Sequence, residues 1–234
     1  MKRLSLLVFC FYLLVSSVSA QEVTIFGEGV MPTGRYAKSM LITSSEGYYP
    51  LTAITDVDNA LGGAGWGWGT GVELAYASGR ENLDLLFEVG FRMNWTNKMM
   101  QDYFADYARD NHSEGITRAP LYLNIPLMFG PRYSFPITDG FSFYVAGELG
   151  LNIRIITEAS YTANLFVDYR TAGTLAFRGS AGFLLFDHIR LEANWSWMGD
   201  DLVKATLYDG KTHDMGGYGY LETMQLGLRL GYTF

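Results

Sequence analysis

The side chains able to do acid–base or nucleophilic chemistry are few in this chain, and their spacing does not assemble a site. Three histidines occur, His112, His188 and His213. His112-Ser113 and His213-Asp214 are sequence neighbours, with Asp200-Asp201 a short way before His213. Acyl transfer needs a nucleophile, a base and an orienting group that converge on one point, and adjacency in sequence does not supply that. Polar loop residues of this kind serve turns far more often than catalysis. The scattered aspartates lack the spacing of a calcium loop, and the single Cys10 can form neither an intramolecular disulfide nor a cysteine zinc site. The glycine-rich run 62–71 alternates with Trp66 and Trp68 and opens no helix, so a phosphate-cradling role is excluded. No catalytic residue, cofactor or metal is therefore expected.

The remaining chemistry is ion pairing. Glu28, Glu73, Glu88, Glu148 and Glu192 are matched in number by Arg92, Arg154, Arg178, Arg190 and Arg229, and these residues lie inside apolar segments. Charges there are tolerable only when paired. The segments that hold them alternate with period two. Leu83, Leu85, Phe87, Val89, Phe91, Met93 and Trp95 alternate with Asp84, Glu88, Arg92 and Asn94. Leu191, Ala193, Trp195 and Trp197 alternate with Arg190, Glu192, Asn194 and Ser196. Met224, Leu226, Leu228, Leu230, Tyr232 and Phe234 alternate with Gln225, Gly227, Arg229, Gly231 and Thr233. Such runs are two-faced strands.

Eight segments read this way, near 23–34, 64–77, 83–95, 119–133, 141–154, 172–186, 189–198 and 220–234. Several reach about ten residues or more, the length of a tilted membrane-spanning strand, whereas soluble strands average about five or six. The connections alternate in length. Long ones fall near 35–63, 96–118, 155–171 and 199–219, and short ones at 78–82, around 134–140 and at 187–188. Long outer loops and short periplasmic turns are the connection pattern of an outer-membrane barrel. The reading is all-β: an eight-stranded antiparallel transmembrane β-barrel with long outer loops, both termini periplasmic.

Composition agrees. With 49% hydrophobic, 15% aromatic and 18% charged residues, the chain is not disordered, and a net charge of −7 argues against nucleic-acid binding. A mean hydropathy of +0.07 is too low for a helical bundle, but it is the expected average of two opposite strand faces. Lys2-Arg3, an apolar stretch from Leu4 to Val15 and the small residues Val18-Ser19-Ala20 read as a secretory leader over 1–20, leaving 21–234 as the barrel domain. Its removal takes Cys10 with it.

Aromatic rings favour both interfaces of a bilayer. All five tryptophans, Trp66, Trp68, Trp95, Trp195 and Trp197, fall at strand ends that join long loops, and Tyr232 and Phe234 lie at the opposite ends. They are read as an aromatic girdle. With the apolar face of each strand toward lipid, the Glu and Arg set faces the lumen. Eight strands leave an interior that side chains fill, so a salt-bridged plug is expected there rather than an open pore. Glu28 is the least determined member, because the parity of its strand is ambiguous. The alternate glycines of 62–71 leave one face nearly free of side chains, giving room for bulky lumen neighbours or for a bend.

The C-terminal run ending in Phe234 resembles the signal that barrel-assembly machinery reads. Tyr122-Leu123-Asn124-Ile125-Pro126-Leu127 and Tyr144-Val145-Ala146-Gly147, with the Ala20/Gln21 junction, resemble the outer-membrane β-barrel domain family common in Bacteroidota. The resemblance covers essentially the whole chain after residue 20. It implies a barrel similar to the small OmpA- or OmpX-like members, and the family also includes PorT, a barrel linked to protein secretion. No motif singles out that branch. The chain lacks the His-x-Ser strand pattern of a barrel lipid A deacylase and the Asp-x-His arrangement and ten strands of an omptin-like protease.

Specific contacts are sought in the loops. Met100, Tyr103, Phe104 and Tyr107 recur with helical period in 97–110, which predicts a short amphipathic helix. It either folds over the barrel mouth or presents an apolar stripe to a partner. In the first loop, Met40–Thr43 and Tyr49–Thr55 predict a hairpin that projects from the barrel; adding two strands to make ten is the alternative. The expected function is a structural or surface-interaction role in a monomeric barrel, with outer-membrane lipid, lipopolysaccharide, the assembly machinery and a loop-bound protein as partners. The alternatives are an accessory component of a secretion or envelope-biogenesis assembly, a narrow solute channel, and a lipid-modifying enzyme.

Overall fold

The computed structural model describes residues 22–38, 41–44, 47–50, 62–112, 115–162, 165–169, 171–208 and 215–234. The expected leader over 1–20 and its junction at Gln21 lie outside these residues, as do Ser113, His213 and Asp214.

Eight strands form the ring: β1 (Glu22–Thr33), β2 (Ala64–Arg80), β3 (Leu83–Thr96), β4 (Tyr122–Thr138), β5 (Phe141–Ile156), β6 (Ala172–Leu185), β7 (Ile189–Tyr208) and β8 (Met215–Thr233). Each pairs antiparallel with its sequence neighbours. β8 then returns to β1, from Thr24 opposite Thr233 to Thr33 opposite Met224, which closes the barrel. An up-and-down meander of this kind needs only local connections, and closure removes the free edges that an open sheet would present.

The two faces are inverted relative to a soluble protein. Leu228 and Leu230 are 62% and 61% exposed, while Arg229 between them is 3% exposed. Phe129, Leu149, Leu151, Leu175 and Leu191 also point outward, whereas Glu88, Arg92, Glu148, Arg178 and Glu192 are buried. Charge inside and hydrocarbon outside is stable only where the surroundings are apolar.

Strand boundaries differ from the sequence reading mainly at the ends. β4 runs on to Thr138, so the turn expected around 134–140 contracts to Asp139-Gly140, with a bulge between Pro136 and Thr138. The segment 199–219, expected as a long loop, is mostly a continued hairpin. Asp200–Leu207 pairs with Met215–Glu222 after a bulge that follows Trp197, where Gly199 takes φ +88°. The connection 155–171 holds a further hairpin, Ala159–Thr162 with Leu165–Tyr169, whose second strand pairs onto the distal part of β7. In the first loop Leu41–Ser44 pairs with Gly47–Pro50 as a separate two-stranded sheet, so the ring has eight strands rather than ten.

The expected helix forms over Lys98–Asp110 and is called α1. Asn97 caps it, its side chain accepting the Met100 N–H at 3.1 Å. The two ends of the barrel are thus distinct: a loop end carrying α1 and the hairpins, and a turn end closed by Glu81-Asn82, Asp139-Gly140 and Phe186–His188.

Candidate functional site

The ten charged residues singled out in the sequence are all buried inside the ring, and even positions of β1 face inward, which settles the parity of Glu28. Arg229 on β8 sits at the centre. Its guanidinium lies 2.7 Å from Glu88, 3.5 Å from Glu192 and Glu28, and 3.8 Å from Glu73. It also stacks 3.6 Å from the centroid of the Phe26 ring. Arg178 grips both oxygens of Glu88 at 2.5 Å and donates through Nε to Glu148 at 2.7 Å. Arg92 binds Glu28 at 2.5 and 3.2 Å and Ser196 at 3.0 Å. Arg190 pairs with Glu73 and reaches Glu22 at 2.8 Å. Bidentate arginine–carboxylate pairs are the strongest form of charge-assisted hydrogen bond. Arg154 stands nearer the loop end and donates to the Leu221 carbonyl at 3.1 Å.

Sequence reasoning missed several members of this interior. Arg132 is buried and pairs at 2.8 Å with both Glu22 and Asp84 near the turn end. It has the same parity as Asn124, the signal that would have found it. Phe26 and Tyr144 also face inward and are buried, although the apolar set of each strand is expected toward lipid. Both share parity with an inward glutamate. Tyr144 lies between Arg190 and Arg132, whose guanidinium carbons are 5.6 and 5.9 Å from its centroid, and its hydroxyl donates to Glu192 at 3.1 Å. The glycines of β2 make the room: a Cβ at Gly69 would stand 2.8 Å from a Glu28 oxygen, and one at Gly71 would stand 2.5 Å from the Phe26 ring.

Toward the loop end charge gives way to amides and then to rings. Gln225 donates to Asn94 at 2.7 Å and Asn152 to Asn124 at 2.9 Å. Above them Tyr36 meets Tyr122 edge to face at 5.6 Å, and the Tyr122 hydroxyl donates to the Gly62 carbonyl. α1 and the Ala159–Tyr169 hairpin close over these rings. Phe104 stacks on Tyr161 at 5.1 Å, and Tyr107 meets the same ring edge-on at 5.3 Å. Met100 and Phe104 are buried in this cluster, with Tyr103 and Tyr107 packed against it. The apolar stripe of α1 is covered by the chain's own residues. Of its two expected uses, the structure corresponds to the lid, because Tyr122, Ile156 and Leu221 at the strand ends offer the apolar surface it needs. Burial pushes the Tyr36 hydroxyl up to about 12 and raises that of Tyr161 as well, so both rings remain neutral.

Phe104→Ala is expected to loosen this lid without opening the barrel. Truncating a buried Phe costs about 3–5 kcal/mol where the site cannot collapse, and here the loss falls on α1 and its hairpin. Limited proteolysis should cut within 98–120 sooner, while the heat-dependent gel shift of the barrel stays unchanged.

On the outside, Trp66 and Trp95 contact at 4.7 Å and Trp195 lies 6.1 Å from Phe177, all toward the loop end. Trp68 and Trp197 are on the same outward face, exposed and half-buried respectively. Tyr232 and Phe234 pack at 5.0 Å at the turn end, with His188 stacked on Tyr232 at 5.5 Å. His188 also binds the Thr233 carbonyl at 3.0 Å, and His112 follows α1 with φ +49°. Asp200 pairs with Arg35 at 3.6 Å. Among the described residues no group of acidic, histidine or cysteine side chains is arranged to hold a metal.

These strands and this interior define a class: a closed eight-stranded antiparallel β-barrel, ionic within and apolar without. No protein-family model matches the chain, and no curated protein matches it in sequence. Among solved structures it is similar to Neisserial surface protein A, at 11% identity over 91% of this chain and 94% of that one, with a TM-score of 0.45. It is similar also to the outer membrane protein OprG from Pseudomonas aeruginosa, at 13% identity over 92% and 96% of the two chains and a TM-score of 0.45. A third is the outer membrane protein AlkL in lipid bilayers, at 15% identity over 91% and 89% and a TM-score of 0.45.

Proposed function

We propose that this protein is a closed outer-membrane barrel of a Gram-negative cell, with a structural or surface-contact role rather than a transport or catalytic one. In this reading the apolar outer face lies in lipid, the termini and short turns are periplasmic, and the loop end faces outward toward lipopolysaccharide. The C-terminal strand engages the assembly machinery. The observation that carries the reading is the arginine–glutamate network, whose ten residues are all buried within the ring. The arginine–glutamate network spans the ring, from Glu28 and Arg92 through Arg229 to Arg178 and Glu148. The aromatic lid supports the same conclusion at the loop end. With the stripe of α1 engaged in the lid, surface contacts fall to its outward face, where Met99, Asp102, Asp106 and Arg109 are exposed.

Reconstituted in planar bilayers, the protein is expected to give no reproducible large open conductance. A steady conductance of that size would overturn the plug. Protease treatment of intact cells is expected to cut the loop-end segments and spare the turns; cleavage confined to the turns would reverse the orientation.

A further inference from the structure

The rim at the turn end is uneven. Two of its turns are neighbours, because β5 pairs with β6 along its length, and the Phe186 N–H donates to the Gly140 carbonyl at 2.6 Å across them. The outward surface leading to these turns is a continuous run of rings. Tyr133 meets Phe135 at 4.7 Å, Phe135 meets Phe143 at 5.8 Å, and Phe183 contacts Phe143 at 5.5 Å and Phe141 at 5.6 Å. At the tips, Phe186 is 75% and Ile137 56% exposed. The third turn differs in kind: Gly79, Arg80 and Glu81 are its exposed residues.

Phe186 carries a second sign. It takes φ +54° and Asp187 takes φ +61°, so both central residues of the turn are left-handed. Such turns strongly favour Asn-Gly or Asp-Gly, and a bulky aromatic there is strained. A ring held in that conformation and three-quarters exposed returns little through packing within the chain. Strain of this kind persists where something else compensates it.

We propose that the Asp139-Gly140 and Phe186-Asp187 turns are seated in the membrane interface, with Ile137 and Phe186 in lipid and the two aspartates at headgroup level, while the Gly79–Asn82 turn stands in water. The occupant of this surface is lipid because the aromatic run is continuous with the apolar wall of β4, β5 and β6, where Val145 and Leu149 are exposed on the same face. Amphipathic and aromatic side chains favour this boundary, and charged turn residues set its depth. The barrel therefore sits tilted, with the turns of its β4–β7 side deeper in the bilayer than the turn of its β2–β3 side. This inference rests on the membrane-barrel reading above.

The only cysteine of the chain is Cys10, so single-cysteine variants of residues 21–234 labelled with an environment-sensitive fluorophore in lipid vesicles test both statements. The positions are Phe186→Cys, Ile137→Cys, Glu81→Cys and Leu149→Cys, each checked for folding by its heat-dependent gel mobility. Labels at 186 and 137 are expected to give blue-shifted emission quenched by shallow spin-labelled lipids, and the label at 81 to be quenched by aqueous iodide. Lipid quenching at 149 with iodide quenching at 186 and 137 overturns the seated turns alone. Loss of lipid quenching at 149 overturns the membrane reading itself. Protection at 186 from both quenchers, seen only after adding a periplasmic extract, points to a protein occupant and also overturns the proposal. Ile137 lies outside the left-handed turn, so its result stands if the 186 variant fails to fold.

Discussion

Arg229→Met is expected to destabilise the barrel by about 3–5 kcal/mol, the cost of leaving buried charges without their partner. The register explains the size. Glu73 and Glu88 are directly opposite one another on β2 and β3, and like charges in that relation repel. Arg229 stands between them, within ion-pair distance of both, and reaches Glu28 and Glu192 as well. Its loss is unevenly felt. Glu88 keeps Arg178, Glu28 keeps Arg92 and Glu73 keeps Arg190. Glu192 keeps the Tyr144 hydroxyl but, among the described residues, no other cation at ion-pair distance. Glu192→Gln should therefore restore a substantial part of the loss in the Arg229→Met background while costing stability on its own. Residues of one network couple in this way, and a double-mutant cycle isolates the coupling. Urea titrations of the folded and unfolded gel bands in detergent provide the measurement. Additive effects of the two substitutions would show that Arg229 is not the hub of the network.

How much of this was legible beforehand differs between the wall and its contents. The alternation Leu226-Gly227-Leu228-Arg229-Leu230 states which face is which, because a spanning strand must satisfy lipid on one side and neighbours on the other at every step. The same alternation located Glu73, Glu88, Arg178 and Glu192 in the interior without any knowledge of their partners. It failed where that constraint ends. Asp200–Leu207 is a strand through backbone pairing with Met215–Glu222, beyond the spanning section. Arg132 lies within the segment read as 119–133 and its parity matches that of Asn124, so the same alternation places it inside as well, next to the turn end. The helical period of Met100, Phe104 and Tyr107 announced α1, yet the surface that covers it comes from Tyr122, Tyr161 and Leu221, in three separate segments. Pattern within a segment reveals its own two faces. Which distant segment meets a given face is decided by closure of the ring.

The second large effect lies in the wall itself, where two glycines on opposite faces make a matched comparison. At Gly71, on the inner face of β2, a Cβ would stand 2.5 Å from the Phe26 ring, 2.5 Å from the Val89 carbonyl oxygen and 2.9 Å from the Gly90 Cα. The backbone atoms cannot yield without shifting β3, and the ring cannot yield without disturbing Arg229, which stacks on it. Gly71→Val should therefore lose about 1–3 kcal/mol or more, the usual cost of overpacking a filled interior. At Gly147, on the outer face of β5, a Cβ would meet nothing within 4 Å. A β-branched side chain suits a strand and an apolar one suits lipid, so Gly147→Val should be neutral or slightly stabilising. The same urea titration, run on both variants in lipid vesicles, reads the difference. A Gly71→Val protein as stable as Gly147→Val would mean that the glycine face is not what makes room for Phe26 and Glu28, and the account of the filled interior would fall with it.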